Sequence, residues 1–288
     1  MKIKALLKLL ALLWFGAIST QAIAETVELQ LSNKARLELT ADYKKGDINK
    51  PAVLILHGFL QTRNFLTIAS LAESVSSTGH AVLSPTLSLG VSNRIKSLAC
   101  EAVHTHSMES DLKEIDLWVN WLQKKGYKKV ILVGHSFGSL QLLHYANSYS
   151  SKNIDRLVMA SLIDTEYAVG SDEYKSQLDV ARKNAKTNPA SLGEYKISYC
   201  KKYPTPHSAF FSYARWTGAE ILKSLKSVKV PAHVILGSSD TRMGKQWPDQ
   251  LKQSGIKIEM IKGANHFFDK QHEFDLSDLV ETIITNES

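Results

Sequence analysis

Three side chains of this protein, far apart in sequence, are of the types that together transfer an acyl group. The segment Lys128–Ala146 reads KKVILVGHSFGSLQLLHYA. A β-branched apolar run, Val130–Val133, leads into Gly-His-Ser-Phe-Gly and then into a helical stretch. A strand that ends in Gly-x-Ser-x-Gly and turns at once into a helix lifts its serine above the sheet edge on a strained backbone. Gly134 and Gly138 flank Ser136 where a Cβ would collide with the turn. The N–H of Phe137 points at the same space. Downstream, Asp240 ends AHVILGSSD, a strand followed by a Gly/Ser turn, and His266 lies in GANHFF after the strand-like IKIEMI. A serine hydroxyl is a weak nucleophile until a base takes its proton, and the base needs an orienting acid. Ser136, His266 and Asp240 fit those roles as nucleophile, general base and orienting carboxylate.

The elements that must position them follow from hydrophobic patterning. Val27–Leu31 and Ala35–Leu39 alternate apolar and polar residues, as half-exposed strands do. Pro51–Gly58 is a continuous apolar strand of the kind buried on both faces of a parallel sheet. Further strands are expected at Ala81–Thr86, Arg156–Leu162, Val230–Gly237 and Ile256–Ile261. Helices are expected at Arg63–Ser76, Met108–Lys125, Met243–Gln253 and Asp275–Thr285. The second of these carries Leu112, Ile115, Trp118, Val119 and Leu122 on one face. Strands alternating with helices predict an α/β fold, a mostly parallel doubly wound sheet covered on both faces. Ligands in such folds bind at the carboxyl ends of the strands, where Ser136, Asp240 and His266 all fall.

One stretch breaks the alternation. Roughly 65 residues between Leu162 and Val230 lack a buried strand pattern. Helices are expected at Glu173–Ala185, His207–Trp216 and Ala219–Lys226, forming a cap over the active edge at about 164–228. Its aromatics, Tyr195, Tyr199, Tyr203, Phe210, Phe211, Tyr213 and Trp216, are expected mostly to fix the cap to the body, with a few facing a pocket for an apolar acyl or aromatic group. A tetrahedral oxyanion needs two donors. The N–H of Phe137 is one, and the N–H of Phe59, in the loop after Pro51–Gly58, is the expected other. His57, directly after a buried strand, is expected to shape that loop rather than act as the base.

These pieces resemble the α/β-hydrolase-fold serine hydrolases of the esterase/lipase type. The matching motifs are HGF at 57–59, GHSFG at 134–138, GSSD at 237–240 and GANH at 263–266, in the family's Ser…Asp…His order. The resemblance implies an eight-stranded core sheet, a cap after the sixth strand, and acyl transfer to water through an acyl-enzyme. It implies no substrate. The expected reaction is cleavage of a carboxylic ester, with amide, thioester or C–C hydrolysis on the same triad as alternatives and a non-catalytic binding protein as the reading of a different class. Many relatives carry a second glycine after GxSxG where this chain has Ser139. Asp164, after the Arg156–Leu162 strand, occupies an alternative acid position of some relatives.

Residues 1–24 read as a secretory signal: Lys2 and Lys4, an apolar stretch, then Ala22-Ile23-Ala24. The uninterrupted apolar part, Leu9–Ile18, is too short for a bilayer span, which needs about 20 residues. Cleavage after Ala24 leaves one domain, residues 25–288, in the periplasm or outside the cell. It also removes three lysines, lowering the net charge from +7 to +4. No dense Lys/Arg tract is present, so nucleic acid is a poor partner, and a small ester or acyl compound is the expected one. The chain's two cysteines, Cys100 and Cys200, suit an oxidising compartment and are expected to pair, stapling the Leu87–His106 loop to the cap. That loop also holds Glu101, His104 and His106, but the spacing matches no strong zinc signature. No metal or cofactor is expected, and His104 or His106 would then stand at the pocket entrance.

Overall fold

The protein is described by a computed structural model covering residues 24–31, 36–149 and 151–286. The signal segment therefore lies outside the described residues, apart from Ala24. In chain order the elements are β1 (Glu25–Gln30), β2 (Glu38–Lys44), β3 (Ala52–Leu56), α1 (Leu66–Ser77), β4 (Val82–Thr86), α2 (Met108–Lys124), β5 (Val130–His135), α3 (Phe137–Ser148) and β6 (Ile154–Ala160). They continue with α4 (Ser171–Thr187), β7 (Leu192–Ile197), β8 (Cys200–Pro206), α5 (His207–Ala214), α6 (Gly218–Ser227), β9 (Ala232–Gly237), α7 (Trp247–Lys252), β10 (Lys257–Ile261) and α8 (His272–Thr285).

Eight strands form one sheet in the order β1-β2-β4-β3-β5-β6-β9-β10. Only β2 runs against the rest, pairing antiparallel with both β1 and β4. The two central strands, β3 and β5, are buried at every position because both faces are covered, and all their residues but His135 are apolar or glycine. Side chains alternate between the faces. Val53, Ile55, Ile131 and Val133 pack with Ile68, Leu71 and Val75 of α1 and with Leu276, Val280 and Ile283 of α8. Leu54, Leu56 and Leu132 pack on the other face with Leu112, Ile115, Trp118, Val119 and Leu122 of α2 and Leu140 and Leu143 of α3. The five-residue stripe expected on α2 is thus buried in full.

The segment between β6 and β9 departs from an all-helical cap. The three expected helices form as α4, α5 and α6, but β7 and β8 between them make an antiparallel hairpin. Its inward residues, Tyr195, Ile197, Cys200, Tyr203 and Thr205, are buried, and its lysines are outside. The hairpin turns at Ser198-Tyr199, with Ser198 at φ 54°. Such turns usually announce themselves by Asn-Gly or Gly, and neither is present here.

Cys100 and Cys200 are bonded, with Cα atoms 5.3 Å apart across 100 residues of sequence. The bond ties the loop after β4 to β8, and His104 extends the tie through its N–H to Pro204 O and its carbonyl from the Thr205 hydroxyl. Cross-linking a loop of this length restricts the unfolded chain. Replacing both cysteines with serine is expected to cost about 2–5 kcal/mol in urea unfolding; an unchanged urea midpoint would show that the tie carries no stability.

Candidate active site

A single residue separates β5 from α3. Ser136 sits at φ 56°, ψ −121°, a conformation that costs a non-glycine residue about 1–3 kcal/mol. Its N–H is held by Ala160 O at 2.8 Å. The glycines beside it are required by close approach: a Cβ at Gly134 would lie 2.6 Å from Ser139 N, and one at Gly138 would lie 2.5 Å from His57 O. Ser139, the departure from the resembled motif, uses its hydroxyl to tie the helix to the sheet, 2.8 Å from both Gly134 O and Ala160 O.

The loops after β9 and β10 bring the other two residues to Ser136. His266 Nε2 is 2.8 Å from Ser136 Oγ, and His266 Nδ1 is 2.7 Å from Asp240 Oδ2. All three are buried. The other oxygen of Asp240 accepts the Arg242 N–H at 2.8 Å, so the carboxylate cannot rotate freely. The backbone of His266 is clamped as well: its carbonyl accepts from His135 Nε2 at 2.9 Å and from the Ser161 hydroxyl at 2.8 Å. Burial, helped by nearby His266, pushes the His135 imidazole down to about 3, so it serves as a neutral donor. Asp164 is engaged elsewhere, accepting from the Glu166 N–H at 2.9 Å, and burial raises its pKa.

The loop after β3 lies directly over this elbow; an added Cβ at Gly58 would stand 3.3 Å from the Ser136 Cβ. Both ring nitrogens of His57 are engaged by groups other than Ser136. Its Nδ1 donates to Gly58 O at 2.8 Å, while its Nε2 accepts from Leu87 N at 3.1 Å and from Arg94 at 3.3 Å. Burial first, then the Arg94 charge, lower its pKa to about 3. Gly58 O and Phe59 N–H belong to one peptide plane. His57 therefore orients the Phe59 amide. Neither the Phe59 nor the Phe137 amide has an acceptor among the described residues. The Arg94 guanidinium is buried and donates to the carbonyls of Leu87, Leu60, Lys96 and Gln61. It stitches the loops after β3 and β4 together.

Both histidines of the disulfide loop are buried, and His106 lines the small void beside Phe59 and Phe137. His104 is buried, stacked on Tyr203 at 4.1 Å. His106 contacts Tyr213 OH at 2.5 Å and Tyr203 OH at 3.1 Å, and Tyr213 donates to Asp111 at 2.5 Å. These bonds join loop, α2, β8 and α5, so the cap is fixed to the body by a buried polar network. No group of three or more His, Cys, Asp or Glu residues is arranged to hold a metal among the described residues. Of the cap aromatics, Tyr203, Phe210 and Tyr213 are wholly buried, as expected for packing, and Tyr199 is exposed.

A sequence model of the alpha/beta hydrolase fold matches residues 51–205, from β3 to β8. The chain belongs to the alpha/beta hydrolase fold family. No curated protein matches it by sequence. Solved structures similar to this chain include Est1E from Butyrivibrio proteoclasticus, at TM-score 0.63 and 15% identity over 89% of this chain and 97% of that one. The monoacylglycerol lipase of Paleococcus ferrophilus is similar at TM-score 0.64 and 18% identity over 86% and 98%. The thioesterase domain from the curacin biosynthetic pathway is similar at TM-score 0.61 and 17% identity over 92% and 100%.

Sequence reading missed several residues that build this site: His135, Ser161, Arg94 and Arg242. His135 and Ser161 had a signal available, since a polar residue ending an apolar strand beside the site needs a buried partner. The two buried histidines are expected to make the fold less stable in acid. His57 and His135, held near 3, stay neutral when folded, while the unfolded chain protonates them below about 6.5. Each group thus removes stability as pH falls from about 6.5, at up to about 1.4 kcal/mol per pH unit. Glu114, pushed up to about 7 by burial, acts in the opposite sense, its stabilisation declining as pH rises through 4.5 to 7. Two imidazoles outweigh one carboxyl. The urea midpoint is expected to fall between pH 7 and pH 5, with a shallower fall in His135→Gln; a midpoint that holds or rises on acidification contradicts this.

Proposed function

We propose that the protein is an exported serine hydrolase that cleaves a carboxylic ester through an acyl-enzyme. The observation that carries this reading is the continuous hydrogen-bonded line from the Ser136 hydroxyl through the His266 imidazole to the Asp240 carboxylate. Ser136 Oγ attacks the ester carbonyl while His266 Nε2 takes its proton. Asp240 keeps Nδ1 protonated and stabilises the imidazolium that forms. The oxyanion is met by the N–H groups of Phe59 and Phe137. Phe137 is also the first residue of α3, whose N-terminal dipole favours negative charge. His266 then delivers the proton to the leaving alcohol, the acyl group stays on Ser136, and a water activated by the same imidazole releases the acid.

The close packing beside the Phe59 and Phe137 amides favours a short acyl group. Phe59 and Phe137, with ring centroids 5.0 Å apart, border a void of about 10 Å³, room for about one water, whose other walls include His57, Leu60, Leu89, His106, Asp111 and Gln141. Larger hollows, such as one of about 500 Å³ bordered by Leu29, Leu117 and Trp121, lie away from the serine and carry none of these groups. Export is supported by the Ala22-Ile23-Ala24 cleavage pattern and by the disulfide. Among the described residues no helix is long and apolar enough to cross a membrane. The similar structures named as a monoacylglycerol lipase and a thioesterase domain fit acyl transfer as the reaction class.

Ser136→Ala is expected to abolish labelling by a fluorophosphonate probe while leaving the protein folded; labelling that survives would remove the serine from the mechanism. Asp240→Asn is expected to lower kcat by about 10³–10⁴-fold and Asp164→Asn by little. The reverse ranking would move the acid to Asp164. Across 4-nitrophenyl esters, kcat/KM is expected to fall from butyrate to octanoate, with anilide and thioester controls reading the bond preference. A rise with chain length would contradict the preference for a short acyl group.

A further inference from the structure

Beside the serine site stands a cation that, among the described residues, has aromatic neighbours but no anionic partner. Arg242 stands two residues after Asp240, half-buried, and its backbone N–H braces that carboxylate. Its guanidinium makes no ion pair and no hydrogen bond among the described residues. Its position is nevertheless defined. The guanidinium carbon lies 4.5 Å from the Phe267 ring centroid and 5.9 Å from that of Tyr199. Phe267 follows His266 in the chain, and its ring lies against the His266 ring at 5.1 Å. Tyr199, at the turn of the cap hairpin, donates to Phe59 O at 3.1 Å. Arg242 therefore lies between the imidazole side of the site and the part of the cap that reaches the oxyanion loop.

Aromatic faces hold a guanidinium by its charge and flat surface while leaving its N–H edge free. Five donors lie on that edge, in a fork that matches a carboxylate. A surface arginine without a partner is ordinary; one pinned by two rings at the mouth of a buried nucleophile is placed to read what enters. The side of the site it reads follows from the proton transfer. His266 Nε2 must reach the departing oxygen, so the leaving group lies toward His266 and Phe267, beneath Arg242. One unpaired cation matches a single negative charge.

We propose that Arg242 is a substrate-binding residue that selects esters whose leaving group carries a carboxylate. This deepens the hydrolase reading and rests on it. Water cleaves the ester between the acyl carbon and the alcohol oxygen, so the products are a short-chain acid and a hydroxy acid whose carboxylate was held by Arg242.

The test uses two butyrate esters of 4-nitrophenol, one carrying a ring 3-carboxylate and the other a 3-carboxamide, which has nearly the same shape without the charge. At low ionic strength the wild-type kcat/KM ratio, carboxylate over carboxamide, is expected to be at least about tenfold. It should fall toward one in Arg242→Gln, take an intermediate value in Arg242→Lys, and shrink with added salt. A ratio cancels any general loss of activity caused by the substitutions, and its salt dependence in the wild type needs no variant. A wild-type ratio of one or less, or an equal ratio in Arg242→Gln, overturns the assignment. If the carboxamide ester is cleaved in a Ser136-dependent way while that ratio is flat, only this inference fails. If the wild type cleaves neither ester, the hydrolase reading fails first.

Discussion

Among the described residues the Ser136 hydroxyl bonds to one basic atom, the His266 Nε2 at 2.8 Å, and much of the surrounding structure serves to keep that separation. Four other contacts hold it in place. Asp240 fixes the far nitrogen of the ring. His135 and Ser161 clamp the carbonyl of His266 from the ends of β5 and β6. The strained backbone at Ser136 is anchored by the Ala160 carbonyl, so neighbouring strands of one parallel sheet set both partners. Strain of this kind persists only when the surroundings overdetermine it, as the fully buried strands here do.

A second set of contacts governs where charge can develop. The Phe59 amide cannot be aimed by its own side chain. It is aimed by its peptide plane, whose carbonyl is bonded to His57, which is in turn held by Leu87 N and Arg94. Burying that arginine is costly, and burial lowers its pKa to about 10. Four backbone carbonyls compensate, while Glu114 and Asp111 contribute favourable fields. The disulfide and the Asp111–Tyr213–His106–Tyr203 chain then fix the cap over this floor.

The features legible in sequence were those that rest on local chemistry. An apolar run ending at a Gly-flanked serine marks both a strand and its turn, and the α2 stripe follows from helical period alone. The same holds for the order of Ser136, Asp240 and His266 at strand ends, because a parallel sheet gathers its carboxyl ends on one edge. The β7–β8 hairpin was hidden because Ser198-Tyr199 makes a tight turn without the usual residues. The burial of His104 and His106 was hidden for a different reason: nothing local to a His-x-His loop says that two cap tyrosines will cover it. Arg94 and Arg242 carry no motif, and their positions follow only from which loops meet in space.

The central claim is that Ser136, His266 and the amides of Phe59 and Phe137 surround one reacting carbon. A crystal structure of the protein after reaction with a fluorophosphonate tests it most directly. The account predicts phosphorus bonded to Ser136 Oγ, with the phosphoryl oxygen about 2.7–3.1 Å from both amide nitrogens and His266 still bonded to Asp240. A phosphoryl oxygen pointing away from those amides, or an adduct on another residue, would contradict it.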